Sequence, residues 1–369
     1  MTSTPPTAPP SNDHRSDGGD AASGTSRAAR ARGRVRGLVR RGARAAARPG
    51  TWRRGPLLTA SALLLGLLML LHGQLPNGFG NLGSLVETLL PWFGGFVPLL
   101  LAAALWRRSP ATVVALLLPV VAWVTLFGGL LADKSHAGGD LTVAEQNVNA
   151  GNPDPAGTAR SLARSGASLL ALVELTPRAT ADYERGLAGT YPYHTVQGTV
   201  GLWSRLPLSD TRTIDIMDFG PLAARKPAAA KLTANRALRT TVATDRGPLT
   251  VYVAHLGSVR VTPRTGFWTT SRDIGVQALA AAVAADPSPR VLLLGDLNGT
   301  VDDRELGGLT SQLRSAQVAA GNGFGFTWPA AFPMVRIDQI LVRGLTPDSS
   351  WILPATTSDH LPIAARLSW

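Results

Sequence analysis

Three long apolar stretches near the N-terminus constrain this chain more than any other feature. Residues 57–71, 88–106 and 110–132 contain no charged side chain. The second and third are 19 and 23 residues long, and either can cross a hydrocarbon core of about 30 Å as a helix that rises about 1.5 Å per residue. The first reaches about 17 residues with its flanks, the lower limit for a span. We therefore predict three transmembrane helices over residues 57–132.

The second stretch is expected to be kinked. Pro91, Gly94, Gly95 and Pro98 interrupt it, and membrane helices tolerate such residues where neighbouring groups satisfy the freed carbonyls. Core helices of a soluble protein are the alternative interpretation. Three such stretches within so few residues would make a poor soluble domain.

The distribution of arginine predicts how these spans are oriented. Residues 1–56 contain twelve arginines and three acidic residues, and Arg107 and Arg108 follow the second stretch, whereas residues 72–84 contain no lysine or arginine. Because short loops rich in these residues stay in the cytoplasm, we predict a cytoplasmic N-terminus. An odd number of spans then places the chain after residue 132 outside the cytoplasm. The predicted localisation is the cell membrane, as a multi-pass protein.

The N-terminal tail, residues 1–56, is predicted to be a disordered cytoplasmic segment. Its first 24 residues are mostly Thr, Pro, Ser, Asp, Ala and Gly, which bury too little apolar surface to offset the entropy lost on ordering. The arginines that follow orient the first span or bind nucleic acid or anionic lipid. The net charge of +12 belongs mainly to this tail, because residues 133–369 contain 22 basic and 20 acidic side chains.

Residues 137–369 are predicted to fold as one mixed α/β domain outside the cytoplasm. Short apolar runs alternate with turns and helical segments, and some of the runs are neighbours in a hairpin-like arrangement. Predicted strands cover residues 141–147, 169–173, 200–203, 238–244, 249–255, 291–294, 337–342 and 361–367, and predicted helices cover residues 156–165 and 269–285. The chain has no cysteine, which excludes disulfides, thiolate metal sites and a cysteine nucleophile.

Polar side chains collect where these strands end. They are Asn147, Glu174, His255, Asp296, Asn298, Asp338, Asp359 and His360. Ligands bind beyond the ends of strands in open α/β sheets, so these side chains are expected to converge. Most also have a purely structural interpretation, such as a turn at Asn147, a helix cap at Glu174 or a glycosylation sequon at Asn298. Asp338 is the exception, because a charge inside an apolar strand requires a partner.

The residue types in this set indicate a metal-dependent hydrolase. Carboxylate and amide oxygens, without thiolates or an HExxH pair, favour a hard cation such as Mg²⁺ or Mn²⁺ over zinc. His255 and His360 would supply proton transfer and phosphate contacts. We assign to Asp338 the task of raising the basicity of His360 and fixing its tautomer. Such a set suits hydrolysis of a phosphate ester.

Several motifs resemble those of the endonuclease/exonuclease/phosphatase superfamily over roughly residues 141–367. They are LVE ending at Glu174, GLWSRLPL from Gly201, GDLNG around Asp296, TWP and RIDQILV between Thr327 and Val342, and the closing SDHLPIAARL. The resemblance implies a DNase I-like four-layer α/β sandwich, with two mixed β-sheets flanked by helices, and a phosphoric ester hydrolase that usually uses Mg²⁺. With three preceding spans, the chain is most similar to VanJ-type membrane proteins associated with teicoplanin resistance.

The resemblance also implies a metal site. Glu174 would be the principal ligand, with Asn147 beside it. Asp296 belongs to the same site, and Asp359 would complete it. Many superfamily members have Gly-Asn-Ala before the Ser-Arg motif, where this chain has GTVGLWSR, a departure that bears on substrate rather than on catalysis.

The catalytic groups are implied in the same way. Asp296 and Asn298 would orient the attacking water and the phosphate. His360, paired with Asp338, would be the catalytic histidine, and His255 would be a phosphate-binding or acid histidine. Gln339 follows Asp338 where histidine or tyrosine is common in the superfamily, which again concerns the substrate.

Three functions remain open from the sequence. The leading hypothesis is a membrane-tethered phosphoesterase that acts on a lipid-linked phosphate or pyrophosphate, such as an undecaprenyl-type cell-wall precursor, at the outer face and gives glycopeptide resistance. An extracytoplasmic nuclease is the first alternative, with a basic aromatic cluster of Arg260, Arg264, Trp268 and Arg272 as its binding surface. A non-catalytic membrane receptor or scaffold is the second.

Overall fold

The computed structural model describes residues 53–217 and 235–369. The predicted disordered tail lies outside the described residues, except for its last four positions. A bundle of apolar helices extends to Leu131, and an α/β domain begins with a strand at Leu141.

The apolar stretches form helices that are broken near proline and glycine. The helices are α1, Pro56–Leu71; α2, Leu82–Leu89; α3, Phe96–Arg107; α4, Pro110–Ala115; and α5, Leu117–Leu131. A 3₁₀ segment, Leu90–Gly95, joins α2 to α3, so the predicted interruption at Pro91 is confirmed. Three helical segments, Pro56–Gln74, Leu82–Arg107 and Pro110–Leu131, are long and apolar enough to cross a membrane.

Short strands and helices alternate through the α/β domain. The strands are β1, Leu141–Asn147; β2, Leu169–Val173; β3, Tyr193–Gln197; β4, Val200–Ser204; β5, Leu208–Thr213; β6, Ala237–Thr244; β7, Gly247–Ala254; β8, Arg260–Thr262; β9, Gly266–Trp268; β10, Val291–Asp296; β11, Arg314–Ser315; β12, Asp338–Arg343; β13, Thr346–Ile352; and β14, Ile363–Ser368. The helices are α6, Pro155–Ala163; α7, Pro177–Leu187; α8, Thr270–Ala285; α9, Gly307–Thr310; and α10, Ala316–Ala320.

Two six-stranded mixed sheets form the centre of this domain. The first has the order β13-β14-β1-β2-β4-β3, and the second has the order β11-β12-β10-β7-β6-β5. β1 is parallel to β2 and β7 is parallel to β10, whereas their other neighbours are antiparallel. The carboxyl ends of these two parallel pairs position the candidate site.

The domain has the predicted four layers. In β2, Leu169 and Val173 belong to the apolar core that joins the two sheets, whereas Leu170 and Leu172 pack with α6 and α7 on the outer face. This explains why LLALV is apolar at every position, since both faces of the strand are buried. α8 covers the outer face of the second sheet. The fold is therefore the DNase I-like sandwich of two mixed sheets flanked by helices.

Edge strands account for much of what the sequence patterns missed. The predicted strands and helices are present, with ends that differ by no more than two residues. β3, β5 and β13 were not predicted, and all three lie at the edge of a sheet. Their sequences, YHTVQ, LSDTRT and TPDSSWI, are polar because an edge strand is less covered than a central one.

The α/β domain contacts the helical bundle at α2. Nη2 of Arg304 lies 2.7 Å from Oε1 of Glu87 in an ion pair, and Oγ of Ser84 donates a hydrogen bond of 3.0 Å to Asp303. Glu87 directly precedes the second apolar stretch, and its carboxylate contacts the α/β domain through Arg304. Arg107 is at the far end of α3, and the domain thus lies at the opposite end of this helical segment.

Candidate active site

The carboxyl ends of four central strands bring polar side chains together. Asn147 ends β1, Glu174 follows β2, His255 follows β7 and Asp296 ends β10. Across the sandwich, Nδ2 of Asn147 donates a hydrogen bond of 3.0 Å to Oδ2 of Asp296. The expected convergence therefore occurs where the ends of the two sheets meet.

Asp296 lies at the centre of this cluster and is buried. Its Oδ1 accepts a hydrogen bond of 2.8 Å from the backbone N–H of Asn298, and its Oδ2 lies 4.0 Å from Nε2 of His360. Burial, followed by the negative charge of Asp338, raises the pKa of Asp296 to about 7. A cation bound here would oppose that shift and favour the ionised carboxylate.

His360 and Asp338 form the predicted pair. Nδ1 of His360 donates to the carboxylate of Asp338, at 3.0 Å from Oδ2, and both side chains are buried. Burial alone would lower the pKa of His360, but the charge and hydrogen bond of Asp338, together with Asp296 and Asp359, outweigh it and raise the pKa to about 9. The pair fixes Nδ1 as a donor and directs Nε2 towards Asp296.

His255, in contrast, is held in the neutral state. Nη2 of Arg236 donates a hydrogen bond of 2.8 Å to Nδ1 of His255, so a neutral ring carries its proton on Nε2. Burial, followed by the charges of Arg236 and His360, lowers the pKa of His255 well below its usual value. The Nε2–H group lies 3.6 Å from both Oε1 of Glu174 and Oδ2 of Asp296.

Three site residues adopt left-handed backbone conformations. Asn149, Glu174 and Asn298 have φ values of 61°, 63° and 48°. Such values are strained for a residue with a side chain, and they occur often in functional sites. At Glu174 this conformation accompanies a hydrogen bond of 3.0 Å from the N–H of Ala150 to Oε2.

Asp359 lies at the surface of the site, whereas Asn298 is buried. Asp359 is exposed at the rim and accepts a hydrogen bond of 2.8 Å from Nδ2 of Asn149. Nδ2 of Asn298 donates to the carbonyl of Leu256 at 3.1 Å, which fixes the loop that carries Asp296.

A family comparison identifies this arrangement. A sequence model of the Endonuclease/Exonuclease/phosphatase family matches residues 144–360. The chain belongs to this family. Its members are phosphoric ester hydrolases that generally depend on a metal. No curated protein matches the sequence of this chain.

Solved structures support the same fold. A functionally unknown conserved protein from Enterococcus faecalis V583 has a TM-score of 0.50 and 16% identity, over 62% of this chain and 99% of that chain. Beta toxin from Staphylococcus aureus has a TM-score of 0.50 and 15% identity, over 62% and 100% of the two chains.

The site fits the divalent cation that the Endonuclease/Exonuclease/phosphatase family uses. Asp296, Asp338 and His360 offer ligand atoms that all lie within 4.8 Å of one another. Oε1 of Glu174 and Oδ2 of Asp296 lie too far from His255 for a hydrogen bond, so both oxygens keep lone pairs for a metal. Asp338 uses its carboxylate on His360. This geometry favours Glu174 over Asp338 as the partner of Asp296 at the metal.

Three buried charged residues of the site were missed by the sequence patterns. They are Arg236, Glu145 and Arg336. Among the residues that the structure describes, neither carboxylate oxygen of Glu145 has a hydrogen-bond partner. Burial, followed by the charges of Asp338 and Asp296, raises the pKa of Glu145 well above its usual value. Glu145 follows Val143 by two positions on β1, so a charge at an inward position of an apolar strand was the available signal.

The predicted nucleic-acid cluster is wrong at Arg272. This side chain is fully buried, and its guanidinium forms ion pairs with Asp303 at 2.7 Å and Asp273 at 2.9 Å. It is therefore unavailable to a phosphate backbone. Arg260 and Arg264 remain exposed near the β8–β9 hairpin.

Proposed function

We propose that this protein is a membrane-tethered, metal-dependent phosphoesterase that hydrolyses a lipid-linked phosphate or pyrophosphate at the outer face of the cell membrane. The observation that carries the proposal is the buried cluster of Asp296, His360 and Asp338 at the sheet ends, in a chain of a phosphoesterase family that also has three candidate spans. An undecaprenyl-type cell-wall precursor is the proposed substrate, and glycopeptide resistance of the VanJ type is the proposed consequence.

The donor oxygens determine how the site would hold Mg²⁺ or Mn²⁺. Glu174, Asn147 and Asp296 would bind the ion, with Asp359 at the rim. The bound ion would neutralise charge on the phosphoryl oxygens. The backbone N–H of Asn298 holds Oδ1 of Asp296. Oδ2 accepts a hydrogen bond from Asn147 and lies 3.6 Å from Nε2 of His255, and from this position it would orient water and accept a proton.

The two histidines would serve different tasks because their charges differ. The carboxylate of Asp338 keeps His360 protonated, and its Nε2–H group would contact a phosphoryl oxygen or donate a proton to the leaving group. Arg236 keeps His255 neutral with a proton on Nε2. His255 would therefore act as a neutral hydrogen-bond donor to the phosphate.

The lipid part of the proposal is supported by the tether. A catalytic domain fixed to the membrane meets lipid substrates at a high effective concentration. The contact of Arg304 with Glu87 and of Asp303 with Ser84 holds the domain against α2, the first helix of the second candidate span. This arrangement favours a substrate that is itself in the bilayer.

A substrate panel tests the proposal. Full-length protein in detergent is supplied with Mg²⁺ and either a long-chain polyprenyl pyrophosphate, a phospholipid or DNA, and the products are quantified. We expect release of phosphate from the polyprenyl substrate at the highest kcat/KM. Cleavage of DNA alone would support the nuclease alternative instead, and hydrolysis of none of them would support the non-catalytic one.

A further inference from the structure

An exposed aromatic face extends from the second candidate span to the candidate active site. It consists of Trp92, Phe326, Trp328 and Phe332. Trp92, Trp328 and Phe332 are 38%, 40% and 63% exposed. The last two belong to the loop of residues 327–335, TWPAAFPMV, which contains no charged side chain.

One end of this loop forms a wall of the active site. The rings of Trp328 and His360 have centroids 6.4 Å apart. The N–H of Ala330 donates a hydrogen bond of 2.7 Å to the carbonyl of Asp359, and the N–H of Leu361 donates one of 2.9 Å to the carbonyl of Thr327. The loop is therefore fixed to the segment that carries the catalytic histidine.

The other end of the loop is fixed to the helical bundle. Nε1 of Trp92 donates a hydrogen bond of 2.8 Å to the carbonyl of Met334. The Trp92 ring lies 5.8 Å from that of Phe326 and 6.3 Å from that of Phe332. Aromatic contacts thus continue from the 3₁₀ segment between α2 and α3 to the loop.

Trp92 lies where the apolar part of the second span begins. Glu87, five residues earlier, is paired with the α/β domain, and no charge follows until Arg107. Tryptophan is enriched at this level of membrane proteins, where the ring meets both acyl chains and headgroups. Phe332, in contact with Trp92, would then lie at the bilayer surface.

The chemistry of the aromatic face selects one kind of occupant. Nucleic acid requires cationic groups along its phosphates, and the loop has none. An acyl or polyprenyl chain requires apolar surface that continues from the bilayer to the reacting phosphate, and the face supplies it. A patch of exposed aromatic rings is also costly in water unless it serves such a contact.

We infer that the aromatic face of Trp92, Phe326, Trp328 and Phe332 guides the apolar chain of a membrane lipid phosphoester from the bilayer surface to the metal site. This inference rests on the proposed function and specifies how that site selects its substrate. Trp328 positions the chain beside His360, and Phe332 contacts the lipid at the membrane.

Site-specific labelling tests the membrane contact without an activity assay. Because the chain has no cysteine, Phe332→Cys creates a single attachment point for an environment-sensitive fluorophore in the full-length protein. The labelled protein is reconstituted in vesicles of phosphatidylglycerol and phosphatidylcholine that carry lipid-attached quenchers. Phe96→Cys on α3, 51% exposed, and Tyr193→Cys on edge strand β3, 42% exposed, are the references. We expect several-fold more quenching at position 332 than at 193. Equal quenching at these two positions would overturn the inference.

Substrate preference tests the selection step. We compare kcat/KM for a long-chain ester with kcat/KM for a short, water-soluble ester of the same headgroup, and take the ratio of the two. The ratio is measured for Phe332→Ser and for the control Phe79→Ser. Phe79 is 82% exposed and lies in the loop between the first two spans. We expect Phe332→Ser to lower the ratio about tenfold, the loss of one apolar side-chain contact, and Phe79→Ser to leave it unchanged.

The outcomes separate the two proposals. If the wild-type protein hydrolyses both esters and the two variants have equal ratios, the inference about the aromatic face fails alone. If the wild-type protein hydrolyses neither ester, the proposed function fails and the inference fails with it.

Discussion

At the scale of single residues, the site depends on two histidines in different charge states, one protonated and one neutral. The Asp338 carboxylate stabilises the protonated form of His360, whereas Arg236 and burial stabilise the neutral form of His255. Sequence patterns identified the two histidines because each adjoins an apolar run, and Asp338 because a charge inside an apolar strand requires a partner. They missed Arg236, whose guanidinium reaches His255 only because β6 pairs with β7.

We predict that His360 and Asp338 act as one unit. His360→Ala should lower kcat by about 10² to 10⁴, the usual range for a positioned acid or base. Asp338→Asn should also lower it, because an amide cannot stabilise a charged imidazole. The double variant should be little worse than His360→Ala, since groups that act together are non-additive. Steady-state kinetics check this, and a double loss equal to the product of the single losses, at unchanged Tm, would show independent action.

At the scale of secondary structure, a buried carboxylate joins α8 to the second sheet. Asp286 follows α8 and accepts hydrogen bonds of 3.0 Å from both Arg239 of β6 and Tyr252 of β7. Burial would raise the pKa of Asp286, but the hydrogen bonds from Ser288, Arg239 and Tyr252 outweigh it and hold the pKa well below its usual value.

Asp286→Asn should destabilise the α/β domain by about 1 to 3 kcal/mol at pH 7, because Arg239 loses its ionic partner inside the fold. A depressed pKa contributes stability above the unfolded value of about 3.9 and loses it as the pH falls through the folded value. The difference in Tm between wild type and variant should therefore shrink below about pH 4. Asp182→Asn, in an exposed pair with Arg185, is the control and should change little; equal Tm losses in both variants would contradict the assignment.

How far the sequence predicts the elements depends on burial. LLALV and VLLLGD are covered on both faces, and their composition alone identifies β2 and β10. The polar edge strands have no such signal. The sequence predicted those site residues that stand at the ends of strands. Arg272 was misassigned because its ion pair with Asp303, 31 positions away, forms only when α8 packs against the loop after β10.

At the scale of the whole molecule, the placement of arginine predicts the orientation in the membrane. The structure puts the α/β domain at the α2 end of the bundle and Arg107 at the far end of α3. If Arg107, Arg108 and the N-terminal tail are cytoplasmic, as predicted, the domain faces outwards.

Protease added to intact cells should therefore cleave the α/β domain, with no cleavage of a cytoplasmic marker protein in the same sample. Immunoblotting with an antibody against the C-terminal region follows the loss. Protection of the domain until the cells are lysed would reverse the proposed topology, while the fold and the site would stand.

The central claim is a metal-dependent phosphoesterase site built around Glu174 and Asp296. The most direct measurement is the rate of phosphate release from a long-chain polyprenyl pyrophosphate as a function of Mg²⁺ concentration. It is made for wild type, for Glu174→Gln and for Glu184→Gln, a half-buried control on α7. The amide lacks the charge that a hard cation requires, so Glu174→Gln should lose most activity and need more Mg²⁺, while Glu184→Gln should match wild type. An unchanged rate and unchanged Mg²⁺ dependence in Glu174→Gln would contradict the claim.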